Sequence, residues 1–96
     1  MTIKKLPVIC PSCSGKLKVQ SLHCEACETT VSGLYSLPIL SNLSNEEQTF
    51  ILDFVKNSGS LKTMAQKLGL SYPTVRNRLD DIIEKIRNIE SEEDHH

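Results

Sequence analysis

The stretch LKTMAQKLGLSYPTVRNRL, residues 61–79, carries four structural signals at mutually consistent offsets. Leu61, Met64, Ala65 and Leu68 recur at three- and four-residue spacing, the period of a short amphipathic helix. Small Ala65 lets a second helix approach closely, Gly69 ends the first helix in a turn, and Leu70 and Val75 fill the angle between the two. Ser71 then caps a second helix whose first turn tolerates Pro73, because a proline there forfeits no intrahelical hydrogen bond. The pattern predicts helix, turn, helix.

Upstream, LSNEEQTFILDFVKN (43–57) opens with Ser44 and, three residues later, Glu47, the signature of a capping box. Phe50, Ile51, Phe54 and Val55 follow on one face, which predicts a helix over about 45–57 that the SGS at 58–60 breaks. Downstream, YPTVRNRLDDIIEKIRNIE (72–90) runs on without a breaker as a long C-terminal helix. Its inward stripe is Val75, Leu79, Ile82 and Ile86, so Tyr72, Pro73, Arg76, Asn77 and Asp80 face outward, with Thr74 and Arg78 at the flanks.

The outward residues suit DNA. Where the second helix of such a unit enters the major groove by its N-terminal part, Tyr72, Thr74, Arg76 and Asn77 are the candidate base contacts. Arginine pairs with guanine and asparagine with adenine, each good pair giving about 1–3 kcal/mol of discrimination. Lys62, Lys67, Ser71 and Arg78 are the candidate phosphate contacts, which position without specifying. Exposed cations on a helix are more often merely solvated. The charge pattern favours more than that: the net charge is −1, yet no acid lies between Asp53 and Asp80, a window holding Lys56, Lys62, Lys67, Arg76 and Arg78. Asp80 and Asp81 would be repelled by phosphates, so contact is expected to stop near Arg78. Beyond it, Val75, Leu79, Ile82, Ile86 and Ile89 are spaced 4, 3, 4 and 3, as in a coiled-coil seam, and Ile82, Ile86 and Ile89 are the candidate seam of a homodimer.

All four cysteines lie in CPSCSGKLKVQSLHCEAC, residues 10–27, as two Cys-x-x-Cys pairs. Two disulfides belong to oxidising compartments, and the chain shows no export signal. A redox pair belongs in a βαβ unit, which this sequence lacks. Two such pairs fit one tetrahedral Zn²⁺, with Cys10, Cys13, Cys24 and Cys27 as a closed, structural ligand set. The residues between the pairs are expected to form a hairpin that brings the two turns together, with Leu17 and Val19 alternating against Lys16, Lys18 and Gln20, and Gly15 making the turn after the first pair. A further strand is expected around Thr29 to Tyr35. His23 is a substitute ligand or, more simply, an exposed hairpin residue; Lys16 and Lys18 either touch phosphate or soften the charge of a tetrathiolate centre.

The N-terminal 35 or so residues resemble a zinc ribbon, although the family usually has glycine directly after the second cysteine of each pair, where Ser14 and Glu28 stand here. LSNEEQTFIL resembles the opening, and SYPTVRNRLDDI the recognition helix, of LuxR-type and sigma-factor region 4 helix-turn-helix units, through Ser71, Thr74, Val75, Leu79 and Ile82. The whole order, ribbon and then helix-turn-helix, is similar to a family of small bacterial proteins known as domain of unknown function 2089. That resemblance implies a role in transcription.

The 96 residues, 39% apolar and 24% charged with no tryptophan, allow one domain or two very small ones. The expected fold is a small two-part α+β chain: an N-terminal zinc ribbon of short β-hairpin and strand over 1–36, a packed connector over 37–44, and an all-α helix-turn-helix unit with a long C-terminal helix over 45–91. An acidic tail over 92–96 ends in His95 and His96, which resemble a purification-tag remnant. Neither a membrane-spanning segment nor a signal-peptide core is visible, so the chain is expected in the cytoplasm. The expected function is that of a dimeric bacterial DNA-binding transcriptional regulator, with a further protein partner at the ribbon. An adaptor acting on transcription machinery without DNA readout is the alternative. RNA binding through the ribbon would need stacking aromatics, and only Tyr35 is near. An enzyme is not expected, since no nucleophile has a candidate base and no glycine-rich phosphate loop is present.

Overall fold

The computed structural model describes residues 5–93, so Asp94, His95 and His96 lie outside the described residues. The chain divides into two compact units, Met1–Pro38 and Ile39–His96.

In the first unit, β1 (Val19–His23) pairs antiparallel with β2 (Thr30–Tyr35), with Leu22 opposite Val31, His23 opposite Thr30 and an irregularity between Val19 and Ser21. This corrects the expected hairpin between the cysteine pairs: each pair instead closes a hairpin of its own. Ile9 bridges Lys16 across the first pair, and the β1–β2 ladder spans the second. The reason is a shared backbone pattern. Ser14 N–H donates to Cys10 C=O at 2.9 Å and Cys10 N–H to Gly15 C=O at 2.8 Å; Glu28 N–H donates to Cys24 C=O and Cys24 N–H to Thr29 C=O, both at 2.8 Å. Closing so tight a turn puts one residue in the left-handed region, and that residue is Ser14 or Glu28, each at φ 62°. Gly15 is therefore not the turn residue; a Cβ there would stand 3.3 Å from Cys13 Sγ, so its role is to leave the sulfur room.

Among the described residues the second unit holds three α-helices and one 3-10 helix. The side chain of Ser44 accepts from Glu47 N–H at 3.1 Å, while Ser44 N–H donates to Glu47 Oε1 at 2.8 Å, and this capping box starts α1 (Asn45–Lys56). Ser60 caps α2 (Leu61–Leu68), accepting from Thr63 N–H at 3.1 Å. Gly69 ends α2 in the left-handed region at φ 68°, and Leu70 N–H returns to Ala65 C=O at 3.0 Å. Ser71 Oγ accepts from Thr74 N–H at 3.3 Å at the start of α3 (Tyr72–Glu93). No helix among the described residues is long and apolar enough to cross a membrane.

Leu43, Phe50, Leu61, Met64, Ala65, Val75, Ile82 and Ile89 make the buried core, with Ile39, Ile51, Phe54, Leu70, Leu79 and Ile86 packed against it. Helix α2 packs on α3 and α1 on α2. Lys85 Nζ on α3 reaches Glu47 Oε1 on α1 at 2.6 Å, which ties the capping box to the middle of the long helix. Two apolar expectations fail at element ends. Val55 is 68% exposed in the last turn of α1, and Leu68 is half-exposed in the last position of α2.

The candidate seam residues are engaged within the single chain. Ile82 and Ile89 are buried, and Ile86 packs against the same core, all within the single chain. The cause lies in the expected connector, which divides at Pro38. Leu37 is buried and belongs to the first unit, whereas Ile39–Asn42 forms a 3-10 helix that folds back onto α3, with buried Leu43 directly after it. Ile39 and Leu43 share one hydrophobic core with Ile82, Ile86 and Ile89. Helix α3 continues through Glu93, two residues past the expected boundary at 91.

Candidate nucleic-acid interface and cysteine knuckles

The turn at Gly69 and the cap at Ser71 aim the first two turns of α3 outward. Tyr72, Thr74, Arg76, Asn77 and Arg78 are all exposed, while Val75 between them is fully buried and anchors that segment to the core. Lys62 and Lys67 are exposed on α2. The candidate base contacts thus share one accessible stretch of helix. One base-contact candidate and one phosphate-contact candidate are partly committed elsewhere: Thr74 Oγ1 and Ser71 Oγ hydrogen-bond each other at 2.8 Å as part of the cap. Arg78 lines a cleft of about 270 Å³ with Glu46, Glu47, Phe50, Asp81 and Ile82, so it stands beside acids as well as beside solvent.

One feature of this surface was missed from the sequence. Arg76 Nε lies 3.4 Å from Asp80 Oδ1, one helical turn on, with both side chains about half exposed. The i,i+4 spacing of the two was the available signal.

In the knuckles, the backbone amides of Cys13 and Ser12, together with the Cys13 thiol, hold the Cys10 thiol below its ordinary value. Ser12 N–H reaches Cys10 Sγ at 3.4 Å. Cys27 is likewise lowered, first by the Thr29 hydroxyl 3.0 Å away, then by the Thr29 amide and the Cys24 thiol. Amide and hydroxyl donors favour the thiolate, the form that ligates metal. Each pair therefore offers sulfur donors of the chemistry a zinc ribbon uses. The two pairs are not gathered into one cluster, since no three His, Cys, Asp or Glu side chains among the described residues are grouped to hold a metal ion. His23 Nδ1 lies 3.3 Å from Thr30 Oγ1, which occupies one ring nitrogen within the hairpin.

A pair of cysteine knuckles followed by a capped helix, turn and long helix defines a two-part zinc-ribbon and helix-turn-helix protein. Comparison with family models finds the ribbon matched over residues 10–41 by "DUF2089 zinc ribbon" and the helices over 43–89 by "Domain of unknown function (DUF2089)-HTH". The chain belongs to the DUF2089 family. Searches of curated proteins and of solved structures returned no match.

Proposed function

We propose that this chain is a DNA-binding transcriptional regulator that reads the major groove with the first two turns of α3. The observation that carries the reading is the exposed stretch Tyr72, Thr74, Arg76 and Asn77, anchored by buried Val75 and flanked on α2 by Lys62 and Lys67, in a window free of acids from 54 to 79. Arg76 and Asn77 supply base contacts; Lys62, Lys67 and Arg78 supply phosphate contacts. In this reading the ribbon holds one structural Zn²⁺ through Cys10, Cys13, Cys24 and Cys27, with no open coordination position and no catalysis. The chain acts in the cytoplasm, where the DNA is.

The test is fluorescence anisotropy of labelled duplex DNA at rising salt. Affinity should fall steeply with salt, because cation contacts release counterions, and Arg76→Ala should weaken binding at every salt concentration. Absence of DNA affinity even at low salt would overturn the reading.

A second reading has its own support. Leu22 and Val31 pair on one face of the ribbon hairpin and are both about half exposed, and Leu34 nearby is more so, an apolar surface of the kind that meets protein partners. Recovery of a stoichiometric protein partner lost in Leu22→Ser, from a chain that binds no DNA, would favour an adaptor.

A further inference from the structure

We infer that Asp80 is a positioning residue that presents Arg76 to guanine, and that it sets base choice at one position of the DNA site. The inference rests on the DNA-binding reading above. Tyr72, Arg76 and Asp80 follow one another at four-residue spacing, so they form one row along the exposed side of α3. Arg76 Nε lies 3.4 Å from Asp80 Oδ1. A guanidinium has five N–H donors in a planar fork, of which Nε carries one. Holding Nε to the carboxylate leaves the four terminal N–H groups free, and these are the ones that meet guanine O6 and N7 in a bidentate contact. No other ion pair or hydrogen bond engages the Arg76 side chain among the described residues.

A purely structural account of the pair explains little. Both side chains are about half exposed. The order along the helix, base first and acid four residues later, is the less favourable one for helix stability. Asp80 also costs the interface: it is the first acid after the basic window and stands where phosphates repel it. A carboxylate that weakens attraction to every DNA sequence, while restricting a flexible arginine that would otherwise also serve phosphates, trades affinity for choice.

The test uses the full chain with its metal and a duplex DNA pool randomised in its central segment, selected in parallel with the native protein, Asp80→Asn, Asp80→Glu and Arg76→Ala. The native protein should enrich guanine at one base pair, and Arg76→Ala should lose that preference. Asp80→Asn should bind the unselected pool more tightly than the native protein does, yet lose the guanine preference by roughly three- to tenfold, a small part of the range a bidentate contact spans. Asp80→Glu, which keeps the carboxylate within reach, should restore much of it. If Asp80→Asn keeps the native preference, the positioning role is wrong while DNA binding stands. If it changes the preference at a neighbouring base pair only, Asp80 contacts a base directly and the inference is overturned. If the native protein enriches nothing and binds no pool, the DNA-binding reading fails, and this inference with it.

Discussion

Ser14 and Glu28 occupy the positions where zinc ribbons usually carry glycine, and both adopt the left-handed backbone at φ 62°. A side chain in that region costs about 1–2 kcal/mol, and glycine avoids the cost at the expense of a more flexible unfolded chain. Ser14→Gly and Glu28→Gly should therefore each stabilise the ribbon by about 0.5–1 kcal/mol, read by chemical denaturation of the metal-bound chain; destabilisation would mean that these side chains make contacts outweighing the strain. The converse holds at Gly69, where φ is 68° and a Cβ would meet nothing within 4 Å. Gly69→Ala should cost about 1 kcal/mol from backbone strain alone. Glu47 gives a pH-dependent counterpart. Burial pushes its carboxyl up, but hydrogen bonds from Lys85 and from the Ser44 amide and hydroxyl, with the Lys85 charge, outweigh burial and leave it below the usual range. A depressed carboxyl adds stability that is fully present above its ordinary value and is lost as pH falls through the folded one. Glu47→Gln, which keeps the capping box but loses the charge, should be less stable than the native chain by about 0.5–1 kcal/mol at neutral pH, with the gap closing in acid.

At the scale of elements, the helices were legible because their signals are local. Ser44 with Glu47, Gly69 at a turn and Ser71 before Pro73 each act within one turn of chain, and the start of α1, the end of α2 and the start of α3 fall where those residues stand. What the sequence concealed was partner choice. Leu17 and Val19 read as half of a hairpin, but periodicity does not name the pairing strand, and the left-handed turns at Ser14 and Glu28 made two hairpins around the cysteine pairs. Ile82, Ile86 and Ile89 read as a seam because their spacing is that of a coiled coil; Ile39–Asn42, broken by nearby Pro38, gave no sign that it would fold back onto α3. The Lys85 contact with Glu47 spans 38 residues and had no local signature. The core place of Ile89 is testable: Ile89→Ala should destabilise the helical unit by about 2–5 kcal/mol, as a cavity in its core, without changing the sedimentation of the folded chain. A drop in oligomer size with unchanged stability would restore the seam.

For the molecule as a whole, the two units differ in what holds them together. Of the nine buried apolar residues among the described residues, only Leu37 belongs to the first unit; the other eight form the core of the second. A hairpin with so little buried apolar surface needs another source of stability, and in the proposed reading that is the metal, whose binding energy is folding energy. Chelation should therefore collapse the β-hairpin signals of residues 19–35 and leave the helicity of 45–93 intact, as followed by circular dichroism and amide exchange. Loss of both together would mean that the helical core depends on the ribbon. In the proposed reading the division also locates the DNA contacts, since Lys62, Lys67 and residues 71–78 all lie in the second unit. The most direct measurement is a duplex DNA titration of the isotope-labelled full chain, followed residue by residue through backbone amide shifts. The account predicts shifts concentrated at Lys62, Lys67 and residues 71–78, weakening as salt rises and saturating only at higher DNA concentration in Arg76→Ala. Shifts confined to the ribbon hairpin, or none anywhere at low salt, would contradict it.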